Sequence, residues 1–278
     1  MPELPEVESL VVGIRPELLG RSIVKVVFYR PDIREKIPQK RIRQILLNKE
    51  IITVLRRGKY VFVGTAEGYL GIHLGMSGRF LESSADAPLA PHTHALFEIN
   101  SGMQFRFVDP RRFGRLFSVE KDELAYHPFL SKLGVEPLDA TTKLSDHLFT
   151  SSRRRSQAIK NFLMDSHVVV GVGNIYASES LWHAQIHPEK RACDLSLLQY
   201  ERLSEAIIRV LREAIRAGGT TLRDYRDKDG NPGYFQQNLA VYAKVTKPCL
   251  RCSTPIVKTT SAGRSTFFCP FCQNTKNT

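Results

Sequence analysis

After Asp229 the chain contains no aspartate or glutamate, although Lys244, Lys247, Arg251, Lys258, Arg264 and Lys276 follow it. A tail of one sign calls for a polyanionic partner. The whole chain leans the same way. Its 40 Lys plus Arg against 28 Asp plus Glu give a formal net charge of +12 and a pI near 9.6, a balance that points to nucleic acid. Also missing is any run of about eighteen apolar residues, so no membrane-spanning helix is expected. The acidic N-terminus does not read as a secretory leader. These absences predict a soluble protein of the cytosol or the bacterial nucleoid. Low-complexity tracts and internal repeats are lacking too, and Cys193, without a sequence partner, reads as a reduced thiol in a reducing compartment.

The other four cysteines form Cys249-x-x-Cys252, sixteen further residues, and Cys269-x-x-Cys272. Each pair can place two thiolates on one ion, and two pairs at this separation supply the four tetrahedral ligands of one structural zinc. A zinc module that only staples the C-terminus would explain the cysteines. It would leave the missing acids unexplained.

At 278 residues and 42% hydrophobic content the chain can bury a real core and is long enough for two domains. Short β-branched or aromatic runs at Ser22–Arg30, Glu50–Arg56, Tyr60–Val63, Tyr69–His73, Ala95–Ile99 and Met103–Phe107 predict strands. Asn100-Ser-Gly102 closes a hairpin between the last two. Strands this closely spaced leave no room for helical crossovers, so a β-sandwich or barrel is expected. Periodicity fades from His127 to Asp146, which reads as an interdomain connection. Helices are expected at Arg154–Asp165, at Ile175–Ala184 and at Ser196–Ala217, the last capped by Ser196 and ended by Gly218-Gly219.

The chain begins Met1-Pro2-Glu3-Leu4-Pro5-Glu6-Val7-Glu8. Methionine before a small residue is commonly removed, which would expose Pro2 as a secondary amine. An α-amino group titrates about two to three units below lysine, so more of it is neutral and nucleophilic near neutral pH. Val7, Leu10, Val11 and Ile14 form an i, i+3, i+4, i+7 stripe, with Pro5 suited to the first turn and Pro16 to the end of a helix. Packing of that stripe would hold the terminus still. An ordinary N-terminal helix fits these residues as well.

Taken in order, Met-Pro-Glu-Leu-Pro-Glu, Arg57-Gly58-Lys59-Tyr60, His73-Leu-Gly-Met-Ser-Gly78, Asp109-Pro-Arg-Arg-Phe-Gly114, Gly171-Val-Gly-Asn-Ile-Tyr-Ala177 and the four-cysteine tail make a chain that resembles bacterial formamidopyrimidine-DNA glycosylases nearly end to end. The resemblance implies an α+β multidomain protein: an N-terminal β-sandwich with an N-terminal helix, then a helix-two-turn-helix domain and a zinc finger. The corresponding division is a catalytic sandwich over 1–131, a linker over 132–137, a DNA-binding helical domain with a lesion-capping loop over 138–243, and the finger over 244–278. It implies a monomer acting on double-stranded DNA that contains oxidised purines or abasic sites. The sister family, endonuclease VIII, prefers oxidised pyrimidines and usually reads Pro-Glu-Gly-Pro at its start, so Leu4 favours the purine branch. A non-enzymatic zinc DNA-binding module is the other alternative, and it has no need of a bare proline terminus.

The same resemblance assigns roles. Pro2 is the nucleophile, Glu3 the proton shuttle, and Lys59 an active-site lysine beside phosphate, with Glu6 orienting the opened sugar. Met76, Arg111 and Phe113 match the wedge that fills the gap left by an extruded base. His92, Arg112, Lys160, Asn174 and Arg264 match the DNA-backbone contacts, although members of the family often carry an acidic residue where this chain has Thr93 between His92 and His94. Without the resemblance, Lys59 would read as a solvated charge, Met76 and Phe113 as core residues, and the run Arg153-Arg154-Arg155 before Lys160 as a solvated face. The polar loop Gly218–Tyr234 is expected to close over the everted base.

Overall fold

The computed structural model describes residues 2–220, 227–231 and 233–274. Met1, Lys276 and part of the expected capping loop lie outside the described residues. The chain divides into two compact units, one of Met1–Ser131 with Ile215–Gln236, the other of Lys132–Ala214 with Gln237–Thr278. The described residues of 215–236, which the sequence division leaves with the helical part, thus belong to the first unit.

The first unit begins with helix α1, Leu4–Leu18. Its predicted stripe of Val7, Leu10, Val11 and Ile14 is wholly buried, as an amphipathic helix on a core requires. Pro16 does not stop this helix, which runs on to Leu18. A proline deprives the carbonyl four residues earlier of its donor, and here that residue is Val12, on the exposed side of the helix.

Strands β1 (Ile23–Phe28), β5 (Arg79–Ser83), β6 (Thr93–Ile99) and β7 (Gln104–Val108) form one antiparallel sheet in the order β1-β6-β7-β5. Strands β2 (Thr53–Arg57), β3 (Tyr60–Thr65), β4 (Gly68–His73) and β8 (Arg115–Glu120) form the second, in the order β2-β3-β4-β8. Phe80, Phe97, Phe105 and Phe107 from the first sheet share one core with Val61, Val63, Leu70, Ile72 and Leu116 from the second and with the α1 stripe. This is the predicted sandwich. The two strands that periodicity did not reveal, β5 and β8, are short and carry charge at one or both ends, and β5 buries only Phe80. Helix α2, Gln39–Leu46, was not expected either. Only Ile42, Ile45 and Leu46 of its eight residues are buried, too few to establish a period.

The second unit holds helices α3 (Leu144–Ser152), α4 (Ile159–Leu163), α5 (Asn174–His183) and most of α6 (Leu197–Arg216), followed by the hairpin β9 (Val257–Ser261) and β10 (Arg264–Phe268). The cap predicted for α6 is reciprocal: Gln199 N–H donates to Ser196 Oγ at 3.3 Å and Ser196 N–H to Gln199 Oε1 at 2.9 Å. Gly218 and Gly219, with φ of 72° and 85°, end it as expected of left-handed C-terminal residues. Helix α3 starts inside the stretch that sequence periodicity treats as a connection. Its apolar face is little more than Leu144 and Leu148.

Candidate nucleic-acid interface and metal centre

In the first unit, Pro2, Glu3 and Glu6 are all buried. Glu3 caps α1 and forms a capping box with Glu6. The Glu6 carboxylate accepts the Glu3 N–H at 2.7 Å on Oε2 and the Thr220 N–H at 2.7 Å on Oε1. Two charge-assisted bonds therefore fix the start of the chain against the residue that follows Gly218-Gly219. Glycine suits position 219, where φ is 85° and a Cβ would lie 3.0 Å from Glu6 Oε1. Arg56 of β2 pairs with Glu8 of α1 at 2.6 Å and donates to the Gly58 carbonyl at 3.1 Å. That pair ties the two-residue turn Gly58-Lys59 to the same helix, and Gly58 takes the positive φ of 57° that the turn needs.

Sequence reasoning quoted His73 only as the start of a motif, and the structure gives it more to do. Its Nδ1 accepts the Gly75 N–H at 3.1 Å, which leaves the ring proton on Nε2. The ring lies 4.8 Å from that of Tyr60. Burial, helped by the positive charges of Lys59, Arg115 and Arg34, pushes its pKa down to about 3. A neutral imidazole beside Lys59 leaves no trace in a single sequence.

Met76 and Phe113 are 38% and 41% exposed. They stand on loops, exposed, and are not core residues. The Arg111 guanidinium lies over the Phe113 ring, 4.9 Å from its centroid, so the aromatic and cationic members of the predicted wedge form one cluster. His92 and Arg112 are exposed and hold positive φ of 64° and 55°, uncommon for residues with a side chain.

In the second unit Gly173 caps α5 and Asn174 is its first residue. The Asn174 Nδ2 donates to the Ser265 carbonyl at 3.0 Å and to Tyr242 Oη at 3.3 Å. Arg264 is exposed where the turn Ala262-Gly263, with φ of 46° and 72°, returns β9 into β10. Lys160, expected among the residues that touch DNA, has no solvent-facing surface. Its ammonium donates to Asn174 Oδ1 at 2.6 Å, the Ser265 carbonyl at 2.9 Å and Thr266 Oγ1 at 2.9 Å. With its donors spent on protein oxygens, Lys160 orients Asn174 and the hairpin from beneath. Glu179, which the sequence did not single out, accepts the N–H groups of Ala240, Val241 and Tyr242 at 2.7–3.0 Å and so fixes the segment that presents Tyr242.

The sulfur atoms of Cys249, Cys252, Cys269 and Cys272 all lie within 4.8 Å of one another, with individual separations of 3.4, 3.5 and 3.9 Å. The edge of a tetrahedron of thiolates about 2.3 Å from zinc is about 3.8 Å, so the spacing suits one zinc ion. Donors to the sulfurs complete the site: Trp182 Nε1–H and Arg251 N–H to Cys249 at 3.4 and 3.5 Å, and Cys272 N–H to Cys269 at 3.4 Å. Such bonds stabilise thiolate character and orient the ligands.

A β-sandwich that buries its own N-terminus, a helical unit with a basic hairpin, and a four-thiolate metal centre define a zinc-containing nucleic-acid protein. Residues 1–116 match the formamidopyrimidine-DNA glycosylase N-terminal domain, 133–226 the formamidopyrimidine-DNA glycosylase H2TH domain, and 247–275 the zinc finger found in FPG and IleRS. The formamidopyrimidine-DNA glycosylase of Legionella pneumophila is 44% identical over 98% of both chains, and that of Vibrio cholerae 43% over 99% of this chain and all of its own. Among solved structures, the MutM (Fpg) protein of Thermus thermophilus superposes with a TM-score of 0.87 at 37% identity over 98% of each chain. Lactococcus lactis Fpg in complex with abasic-site DNA gives 0.90 at 32% identity, covering 98% of this chain and 99% of its own. The chain belongs to the formamidopyrimidine-DNA glycosylase family.

Cys249→Ser is expected to lower zinc below one per chain and, with it, DNA affinity, since the finger's fold depends on four ligands; full zinc occupancy in the variant, by metal analysis, would contradict the assignment. His73 yields a pH prediction. The folded protein keeps the ring neutral, so the unfolded chain takes up the proton first and stability falls as pH drops from 6.5 towards about 3. Urea unfolding of His73→Gln beside the parent chain should show the variant losing less stability over that window, and parallel curves would contradict it.

Proposed function

We propose that this chain performs base-excision DNA repair: it flips an oxidised purine out of duplex DNA, excises it through a Schiff base on Pro2, and then cleaves the strand. The observation that carries the reading is the buried start of the chain, where Glu6 holds the Glu3 N–H at 2.7 Å and so gives a terminal proline a fixed place. Two Lactococcus lactis Fpg structures are complexes with DNA containing Fapy-dG and an abasic site, which supports oxidised purines and abasic sites as substrates.

With Met1 removed, the secondary amine of Pro2 attacks the anomeric carbon and the bond to the base breaks. The base leaves with the proton that the attacking amine gives up. Glu3 then gives a proton to the ring oxygen as its bond to that carbon breaks, and the sugar opens to an iminium, which a secondary amine makes cationic without a proton on nitrogen. Its charge acidifies the 2′ carbon. The Glu3 carboxylate takes a 2′ proton as the 3′ phosphate leaves, and a second elimination expels the 5′ phosphate. Lys59 steadies the phosphate beside the lesion, and Glu6 orients the opened sugar from the base of α1.

Met76, Arg111 and Phe113 fill the stack, with Arg111 facing the orphaned base, while His92, Arg112, Asn174 and Arg264 take the backbone. Lys160 contributes through Asn174, as its burial requires. Among the described residues no helix is long and apolar enough to cross a membrane. A monomer in the bacterial cytoplasm, on the nucleoid when bound, fits the net positive charge and the bacterial relatives. The pyrimidine-specific reading has only the shared plan in its favour, and Leu4 speaks against it.

Pro2→Gly should reduce borohydride trapping on an 8-oxoguanine duplex severely, and equal trapping would move the nucleophile to a lysine. Glu3→Gln should bind the duplex nearly as well as the parent while releasing no base. Phe113→Ala should impair work on a paired lesion far more than on a preformed abasic site, where less stacking must be broken. Arg264→Ala should weaken both alike and lower the salt slope of binding by about one phosphate's worth. Parallel losses in both variants, or an unchanged slope for Arg264→Ala, would misplace at least one of them.

A further inference from the structure

The exposed residues of the first unit assigned to the duplex sit on three separate loops: residues 74–78 with Met76, residues 109–114 with Arg111, Arg112 and Phe113, and the turn into β6 with His92. All three end on one residue, quoted above only as the start of a motif and given no role in the mechanism. Asp109 is fully buried. Its Oδ1 accepts Ser77 Oγ–H at 2.7 Å and the Arg111 N–H at 3.3 Å, and its Oδ2 accepts the Gly114 N–H at 2.8 Å. Its own N–H donates to the His92 carbonyl at 3.0 Å, and its carbonyl accepts His94 Nε2–H at 2.8 Å.

Among the described residues no lysine or arginine pairs with this carboxylate, so its charge is met by hydrogen bonds alone. A buried carboxylate cannot give up such donors cheaply, which makes its arrangement stiff. The loops also touch directly. Gly75, at φ 63°, is so close to the neighbouring loop that a Cβ would sit 2.4 Å from the Phe113 carbonyl carbon and 2.6 Å from Gly114 N. Ser77 closes the junction by donating to Asp109 while accepting the Arg111 N–H at 3.3 Å.

We propose that Asp109 is a positioning residue that locks the Met76 loop, the Arg111–Phe113 tip and the His92 turn into one rigid body, so that the wedge enters the duplex as a unit. The proposal rests on the wedge reading above. Unstacking a base step costs a few kcal/mol, and residues that must first be ordered relative to one another contribute less to meeting that cost. Asp109 removes the ordering step for three loops at once. It touches no substrate and has no part in the Schiff-base chemistry.

The test follows the rate of wedge insertion by stopped-flow fluorescence of 2-aminopurine placed beside an 8-oxoguanine pair. Asp109→Asn keeps the size but turns one acceptor into a donor. It should slow the insertion phase about tenfold, the worth of one hydrogen bond to a charged group, while cleavage of a preformed abasic site stays within about twofold. Ser77→Ala, which cuts only the tie to the Met76 loop, should give a smaller loss in the same direction. The double variant should be no slower than Asp109→Asn, since both changes break one network. Where Asp109→Asn does not fold, Ser77→Ala decides alone. Equal losses on both substrates would reduce Asp109 to a structural residue and overturn the proposal, as would an unchanged insertion phase while Phe113→Ala slows it. Should Phe113→Ala itself leave insertion unchanged, the wedge reading fails and the proposal falls with it.

Discussion

The carboxylate of Glu6 is the constraint on which the proposed chemistry rests. A chain terminus frays unless something holds it, and a nucleophile that frays cannot sit within reach of one carbon atom. Glu6 bonds the backbone on both sides of the site, the N–H of Glu3 and the N–H of Thr220, each at 2.7 Å. The α1 stripe beneath it is anchored in the sandwich core, and the Arg56–Glu8 pair brings the Lys59 turn to the same helix. Remove the acidic side chain and the buried N–H groups lose their acceptors, a cost of about 1–3 kcal/mol each.

In the proposed reading the two units grip DNA in different ways. The first exposes a few tips, Met76, His92 and the Arg111–Phe113 cluster, on loops braced from below by Asp109. The second spends a buried lysine, Lys160, on aiming an asparagine and a hairpin, and a buried glutamate, Glu179, on setting the segment with Tyr242. In both, charge inside the protein is used to orient, and charge outside is left to meet phosphate. The acid-free tail follows this logic, because any carboxylate near Arg264 would compete with the backbone of DNA.

Much of this was legible in the sequence, for reasons that can be named. The zinc site was readable because four cysteines at fixed spacing have few other uses in a reducing compartment. The α1 stripe and the cap of α6 were readable because they are local patterns. Strands β5 and β8 and helix α2 were hidden by charged or polar residues that cover one face and leave too few apolar positions to count. Pro16 misled as a stop signal because its cost falls at Val12, on the exposed side of α1. Glu179 was invisible because its donors lie some sixty residues further along the chain, the tie from Asp109 to Ser77 spans 32 residues, and the burial of Lys160 could not be read because a buried lysine with three protein acceptors has the same letter as one that faces phosphate. His73 shows the same limit, since its neutral state comes from burial and from Lys59, Arg115 and Arg34 gathered by the fold.

The central claim is that the chain acts through its own N-terminal proline, held by Glu6. Peptide mapping by mass spectrometry of the borohydride-reduced adduct with abasic-site DNA tests it most directly. The account predicts that the reduced sugar is carried on the peptide that begins at Pro2, with Met1 absent. An adduct on Lys59 or on any other lysine would contradict it.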